Sequence, residues 1–192
     1  ADTFVLMGFP FDSAEARDLN RNIFANIYYA AVQESAVLAQ RDGAYETFAG
    51  SPASHGILQP DLWNTQTVDE LDWQALRDLA RAGLRNSLLV APMPTASTSQ
   101  ILGYNECIEP FFSVIGTRRT LAGEFVIINE YMVRRLLELG LWDDTMKTRI
   151  MLARGSIQGI TEIPEDTREL FKTAFEIKQK VIIDLAADRG AY

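Results

Sequence analysis

Ser87–Gly103 reads S-L-L-V-A-P-M-P-T-A-S-T-S-Q-I-L-G, an apolar run that enters a helix through a turn crowded with hydroxyls. Ser87 to Ala91 is short and apolar, carries β-branched Val90, and lies between Asn86 and the prolines Pro92 and Pro94, the pattern of a buried strand. The prolines, which lack an N–H, stop it. Beyond them Thr95, Ser97, Thr98 and Ser99 gather at the start of a helix predicted over about Ser97 to Leu102 and closed by Gly103. The first N–H groups of a helix lack intrahelical acceptors. Together with the helix dipole and several hydroxyls they can hold an anion such as phosphate with no basic side chain. Hydroxyl residues also cap helices that bind nothing, so spacing alone leaves both readings open.

Upstream, Thr67 and Glu70 have capping-box spacing, and Leu71, Leu76, Leu79 and Ala80 predict an apolar helix face closed by Gly83. Helix, turn, strand, hydroxyl loop and helix make an α/β repeat, the unit of barrels and doubly wound sheets. Ala44 to Asn64 mixes Gly, Pro and Ser with aromatics and reads as an ordered loop holding His55, the sole histidine, with no metal-ligand partner nearby in sequence. Earlier still, Asp12 with Glu15 resembles a capping box, and Ile23, Ile27, Ala30, Ala31 and Leu38 mark one face of a long helix over Asn22 to Gln40, ending near Gly43. Tyr28 and Tyr29 lie on that helix about 100° apart and do not form a relay pair.

Downstream, Phe112–Arg118 and Glu124–Ile128 flank Ala122-Gly123 and predict a hairpin. Asn129 is placed to cap a helix over Tyr131–Leu139 stopped by Gly140, and Asp143–Ala153 a second, stopped by Gly155. Pro164 opens what reads as the last and longest helix, with Leu170, Phe171, Ala174, Phe175, Val181, Ile182 and Leu185 as its buried stripe. Arg118-Arg119 and Arg134-Arg135 read as solvated or ion-paired surface.

The chain has 192 residues, 47% hydrophobic and 23% charged, enough for a domain with a core. A formal charge of −8 argues against a general nucleic-acid binder but leaves room for a local phosphate site. One cysteine, Cys107, excludes an internal disulfide and a zinc cage and suits a reducing compartment. No apolar run approaches a membrane span, and a cytoplasmic location without membrane or nucleic-acid partners is expected. The chain opens without Met and without a clean element start, which suggests a piece of something longer.

Pro94–Pro110, P-T-A-S-T-S-Q-I-L-G-Y-N-E-C-I-E-P, and Thr117–Asn129, T-R-R-T-L-A-G-E-F-V-I-I-N, resemble the substrate-phosphate loop and following segment of class I ribonucleotide reductase large subunits. Pro10–Asn20, Tyr45–Gln59 and Ala186–Tyr192 extend the resemblance over essentially the whole chain. It implies an α/β, helix-rich fold that is one part, residues 1–192, of the family's ten-stranded α/β barrel. In that setting Thr95, Ala96, Ser97, Thr98 and Ser99 would hold the diphosphate of a ribonucleoside diphosphate. The complete enzyme would draw a radical from its small subunit, a thioredoxin-type reductant and nucleotide effectors, and would pair two large subunits. No cofactor, metal or catalytic residue is expected of this chain itself. The N-terminal effector cone, the radical-cysteine strand and the C-terminal tail are expected to lie elsewhere.

Asn105, Cys107 and Glu109 spell N-x-C-x-E, which on a strand would bring amide, thiol and carboxylate to one face. That is the trio the family uses in radical chemistry, but there it precedes the P-T-A-S-T loop, so Cys107 is expected to be a small buried hydrophobe. A single thiol cannot supply the two electrons of dithiol oxidation. The chain alone is therefore expected to be inactive and, with barrel strands unpaired, prone to self-association. The alternative reading is an autonomous, non-catalytic phosphate-binding or subunit-interaction module.

Overall fold

Helices begin where a side chain can take an orphan N–H, and several begin so here. In the computed structural model, which describes residues 1–192 apart from the side chain at position 120, Ser13, Asp72, Asn129 and Asp143 accept from Ala16, Ala75, Met132 and Met146 respectively. In chain order the helices are α1 (Asp2–Met7), α2 (Ala14–Asp42), α3 (Gln59–Leu62), α4 (Trp73–Ala82), α5 (Thr98–Leu102), α6 (Glu130–Glu138), α7 (Asp144–Leu152), α8 (Glu165–Leu170) and α9 (Gln179–Gly190). A 3-10 turn at Ala53–His55 precedes α3, and strands β1 (Ile115–Thr120) and β2 (Gly123–Ile128) precede α6. Asn129 caps as expected, and Asp143, expected as the first helical residue, is the cap of α7. The two expected capping boxes are displaced, because Ser13 and Asp72 reach the N–H groups that Asp12 and Thr67 do not.

The chain divides into two units, Ala1–Ala16 with Met93–Ile182 and Arg17–Pro92 with Ile183–Tyr192. In the first, β1 and β2 form an antiparallel hairpin with Ile115 opposite Ile128 and Thr117 opposite Val126. Its root is fixed on both sides of Val114, whose N–H donates to Gly155 O at 2.9 Å and whose carbonyl accepts from Asn129 N–H at 2.8 Å. Val114, Met132, Leu136, Ile150, Ile157, Ile163 and Phe171 are sealed together beneath it. Gly155 lies at φ 78°, and a Cβ there would stand 2.5 Å from the Ile115 carbonyl oxygen.

The expected long helix from Pro164 is two helices, α8 and α9, and α2 is the longest element. Between them Thr173 forms a parallel bridge with Phe111, Ala174 N–H donates to Phe111 O at 2.8 Å, and the Glu176 carboxylate accepts from Thr173 N–H at 2.6 Å. Tertiary hydrogen bonds thus outbid the helical periodicity, and Phe175, assigned to the buried stripe, is exposed.

In the second unit α2 starts well before the expected Asn22 and buries a different face. Ala25, Val32 and Ala36 are covered together with Asn20 and Ser35, whereas Ile27 is exposed. The polar pair is satisfied: Asn20 Nδ2 donates to Leu185 O at 3.0 Å, and Ser35 Oγ accepts from Asn86 N–H at 3.0 Å. Trp73, Leu76 and Ala80 of α4 complete this core, and Tyr192 stacks on Trp73 at 5.6 Å.

The expected strand at Ser87–Ala91 has no regular secondary structure and is not a strand. A strand needs a neighbour for its N–H and C=O groups, and β1 and β2 pair only with each other. Leu88 is 90% exposed. The architecture is otherwise the expected helix-rich one with a small sheet.

Gly155→Ala, forcing a Cβ into the Ile115 carbonyl at a left-handed backbone position, should lower stability by about 2–4 kcal/mol, read as a shifted urea midpoint. At the surface, two hydrogen bonds from Arg149, at 2.9 and 2.8 Å, hold the Glu162 carboxyl down to about 2 from the ordinary 4.5. A lowered folded-state pKa stabilises above 4.5, and the contribution is lost as pH falls through about 2. Glu162→Gln should therefore flatten the acid limb of a stability–pH curve in that window, with a difference that shrinks in high salt.

Candidate functional site

The five residues expected to form the anion site run from the turn after Pro94 into the first residues of α5, in the first unit. Thr95 takes a left-handed backbone at φ 54°, and so does Cys107. Cys107 N–H donates to Thr95 Oγ1 at 3.0 Å, tying the turn to the segment that follows α5. The Thr95 carbonyl accepts from Ser99 N–H at 2.9 Å and from the Thr98 hydroxyl at 3.4 Å. Ser97 N-caps α5 by position with no side-chain capping bond.

This wiring distributes the donors unevenly. The Thr98 hydroxyl proton is committed to Thr95 O, whereas Thr95 Oγ1 only accepts within the chain and keeps its own proton to give. The backbone N–H groups of Ala96, Ser97 and Thr98 have no hydrogen-bond acceptor among the described residues. Three successive unpaired N–H groups in a kinked turn form the kind of concavity that takes phosphate oxygens. At five residues α5 contributes little dipole, so N–H and hydroxyl groups carry the attraction. Ser99 is different: it is 5% exposed and its Oγ has no partner among the described residues.

Cys107 departs from the expected buried hydrophobe, since its thiol is exposed. Asn105, Cys107 and Glu109 lie on turn and coil and share no strand face. Asn105 Nδ2 instead donates to the Glu109 carbonyl at 2.8 Å. His55 is exposed on its 3-10 turn, and no cluster of three metal-ligating side chains occurs among the described residues. The Tyr28 and Tyr29 hydroxyls go to separate partners, Gln59 N–H and Asp72 O. Among the described residues no helix is long and apolar enough to cross a membrane. Arg118 and Arg119 are ion-paired, with Glu106 and Glu124, as the sequence suggested.

The scaffold is thus a helix-rich α/β piece that presents an uncharged turn suited to an anion. A family model described as the ribonucleotide reductase barrel domain matches residues 1–192. The chain is 55% identical over 193 aligned residues to the ribonucleoside-diphosphate reductase large subunit of Arabidopsis thaliana, using all of this chain and 24% of that protein. It is 54% identical to large chain 2 of the Saccharomyces cerevisiae enzyme, using 22% of it. Among solved structures, the alpha subunit of Actinobacillus ureae class Id ribonucleotide reductase superposes with a TM-score of 0.72 at 26% identity, over 97% of this chain and 28% of that one. The chain belongs to the ribonucleotide reductase family through its barrel domain. It spans about a quarter of the length of these large subunits.

Ser99→Ala should be neutral or slightly stabilising in the absence of ligand, because it removes a buried hydroxyl that has no partner. Thermal unfolding of the two proteins compares them directly. A loss above about 1 kcal/mol would show that Ser99 Oγ makes a structural bond.

Proposed function

We propose that this chain forms part of the catalytic barrel of a ribonucleoside-diphosphate reductase large subunit, an oxidoreductase that makes deoxyribonucleotides for DNA synthesis. Its role there is to hold the diphosphate of the substrate. The observation that carries the reading is the run of unpaired N–H groups at Ala96, Ser97 and Thr98, presented by a turn braced at Thr95. In this reading the N–H groups and the Thr95 and Ser97 hydroxyls donate to phosphate oxygens. Thr98 keeps the turn in shape, and Ser99 turns its unpaired hydroxyl toward the bound group. Hydrogen bonds to a charged acceptor are about twice as strong as neutral ones, which compensates for the lack of a Lys or Arg in the turn.

Residues 1–192 act as one part of the barrel, in the cytoplasm, alongside the rest of the large subunit, a second large subunit and the small radical-generating subunit. That small subunit supplies the radical, and thiols outside this chain supply the two electrons from a thioredoxin-type donor. Identity of 54–56% along the full chain with proteins named as large subunits disfavours the autonomous module. Nothing in the turn is a base or nucleophile. Its work is to fix the ribose relative to chemistry supplied elsewhere, which is an entropic contribution.

Ser97→Ala with Thr98→Ala, in a complete large subunit, should weaken nucleoside-diphosphate binding by roughly tenfold, measured by calorimetric titration. Unchanged affinity would sink the assignment. Cys107→Ser should leave turnover within about a few-fold. A thousandfold fall with the fold intact would place the radical thiol at Cys107 instead.

A further inference from the structure

Gln100 and Glu106 lie on either side of the α5 exit, and neither is accounted for by helix capping or by the core. The Gln100 amide has two N–H donors and uses both. It gives one to the Ala96 carbonyl, inside the hydroxyl turn, and the other to Glu106 Oε1 at 3.0 Å. The same Oε1 accepts from Arg118 Nη1 at 3.0 Å. Arg118 stands on β1, whose register with β2 is fixed at six residue pairs. A continuous line of hydrogen bonds therefore runs from the turn's own backbone to the paired β1–β2 hairpin, with one carboxylate oxygen as its junction.

We propose that Glu106 is a positioning residue for the diphosphate turn, holding it against β1 through Gln100 on one side and Arg118 on the other. The inference rests on the reading of Thr95–Ser99 as the substrate-diphosphate turn. When the Ala96 carbonyl is turned toward Gln100, the Ser97 N–H of the same trans peptide plane faces the other way, free for an incoming phosphate. Glu106 also neutralises Arg118, the nearest guanidinium in this network. A cation left unpaired there would compete with the turn for the phosphate. Glu106 and Arg118 are both partly exposed, so the ion pair contributes little to folding stability. Its effect falls on the geometry of the turn.

Steady-state kinetics on the full-length large subunit assembled with its small subunit, with cytidine diphosphate as substrate, separates the possibilities. Glu106→Ala should raise KM about threefold or more with kcat within about twofold, because it removes binding shared by ground and transition states. Glu106→Gln retains an acceptor for Gln100 but loses the charge facing Arg118, and should lie between wild type and Glu106→Ala. Should Glu106→Ala fail to fold, Gln100→Glu, which keeps side-chain length and sets a second carboxylate against Glu106, should raise KM in the same way. A KM at wild-type level in the folded variants, alongside a raised KM in Ser97→Ala with Thr98→Ala, overturns the positioning role and leaves the diphosphate turn standing. No KM effect in either set overturns the turn itself. A fall in kcat at constant KM also overturns the proposal, since it would place Glu106 in the chemistry and not in the holding of substrate.

Discussion

Thr95 is β-branched and sits at φ 54°, a backbone position that costs such a residue about 1–3 kcal/mol unless its surroundings determine it. Two contacts do so. Its hydroxyl receives the N–H of Cys107, itself left-handed, and its carbonyl receives Ser99 N–H and the Thr98 hydroxyl. The kink breaks the run of backbone pairing that either a continuing strand or an earlier helix start would have provided. Three N–H groups are left without acceptors as a result, and they are the donors of the proposed anion site.

That surface is dipolar and carries no formal charge. In a chain with a net charge of −8, a turn made of N–H and O–H groups attracts phosphate without a cation that would pair with neighbouring carboxylates. Directional donors also fix orientation better than a point charge does, because each phosphate oxygen must meet a bond vector. A site whose task is to place a ribose accurately gains more from that than from added attraction.

Features set by local chemistry were legible in the sequence. The hairpin around Gly123, the cap Asn129, and the glycine stops at Gly43, Gly103 and Gly140 all came from turn and cap rules that act within a few residues. Features set by partners were not. Ser87–Ala91 has the composition of a strand but lacks a paired neighbour, and the Pro164 periodicity yields to the bridge between Phe111 and Thr173. The buried stripe of α2 was misassigned because Asn20 and Ser35, polar residues that hydrophobic patterning discards, are covered and fully bonded. Cys107 was expected among buried hydrophobes on side-chain type alone, and its exposure depends on tertiary packing around the turn. The hydroxyls of the turn were readable as a group, but which of them keeps a free donor depends on Cys107 and Thr98, contacts without a sequence signature.

The turn also depends on the core beneath it, through a chain of contacts that all lie in the first unit. Ile150, Ile157 and Ile163 have no exposed surface and fix the end of α7 and the segment after it, which sets Gly155 where its carbonyl can receive Val114 N–H. Val114 in turn roots β1 and, through Asn129 N–H, the far end of β2. Arg118, four residues along from that root, is thereby placed to meet Glu106, and Glu106 to meet Gln100 and the turn. Each step is a single hydrogen bond or a close packing contact, so an error early in the series propagates as a displacement of the N–H groups at its end. A shift of about 1 Å suffices to spoil a directional phosphate site. The absence of a Cβ at Gly155 is therefore a requirement of the proposed anion site as much as of the core.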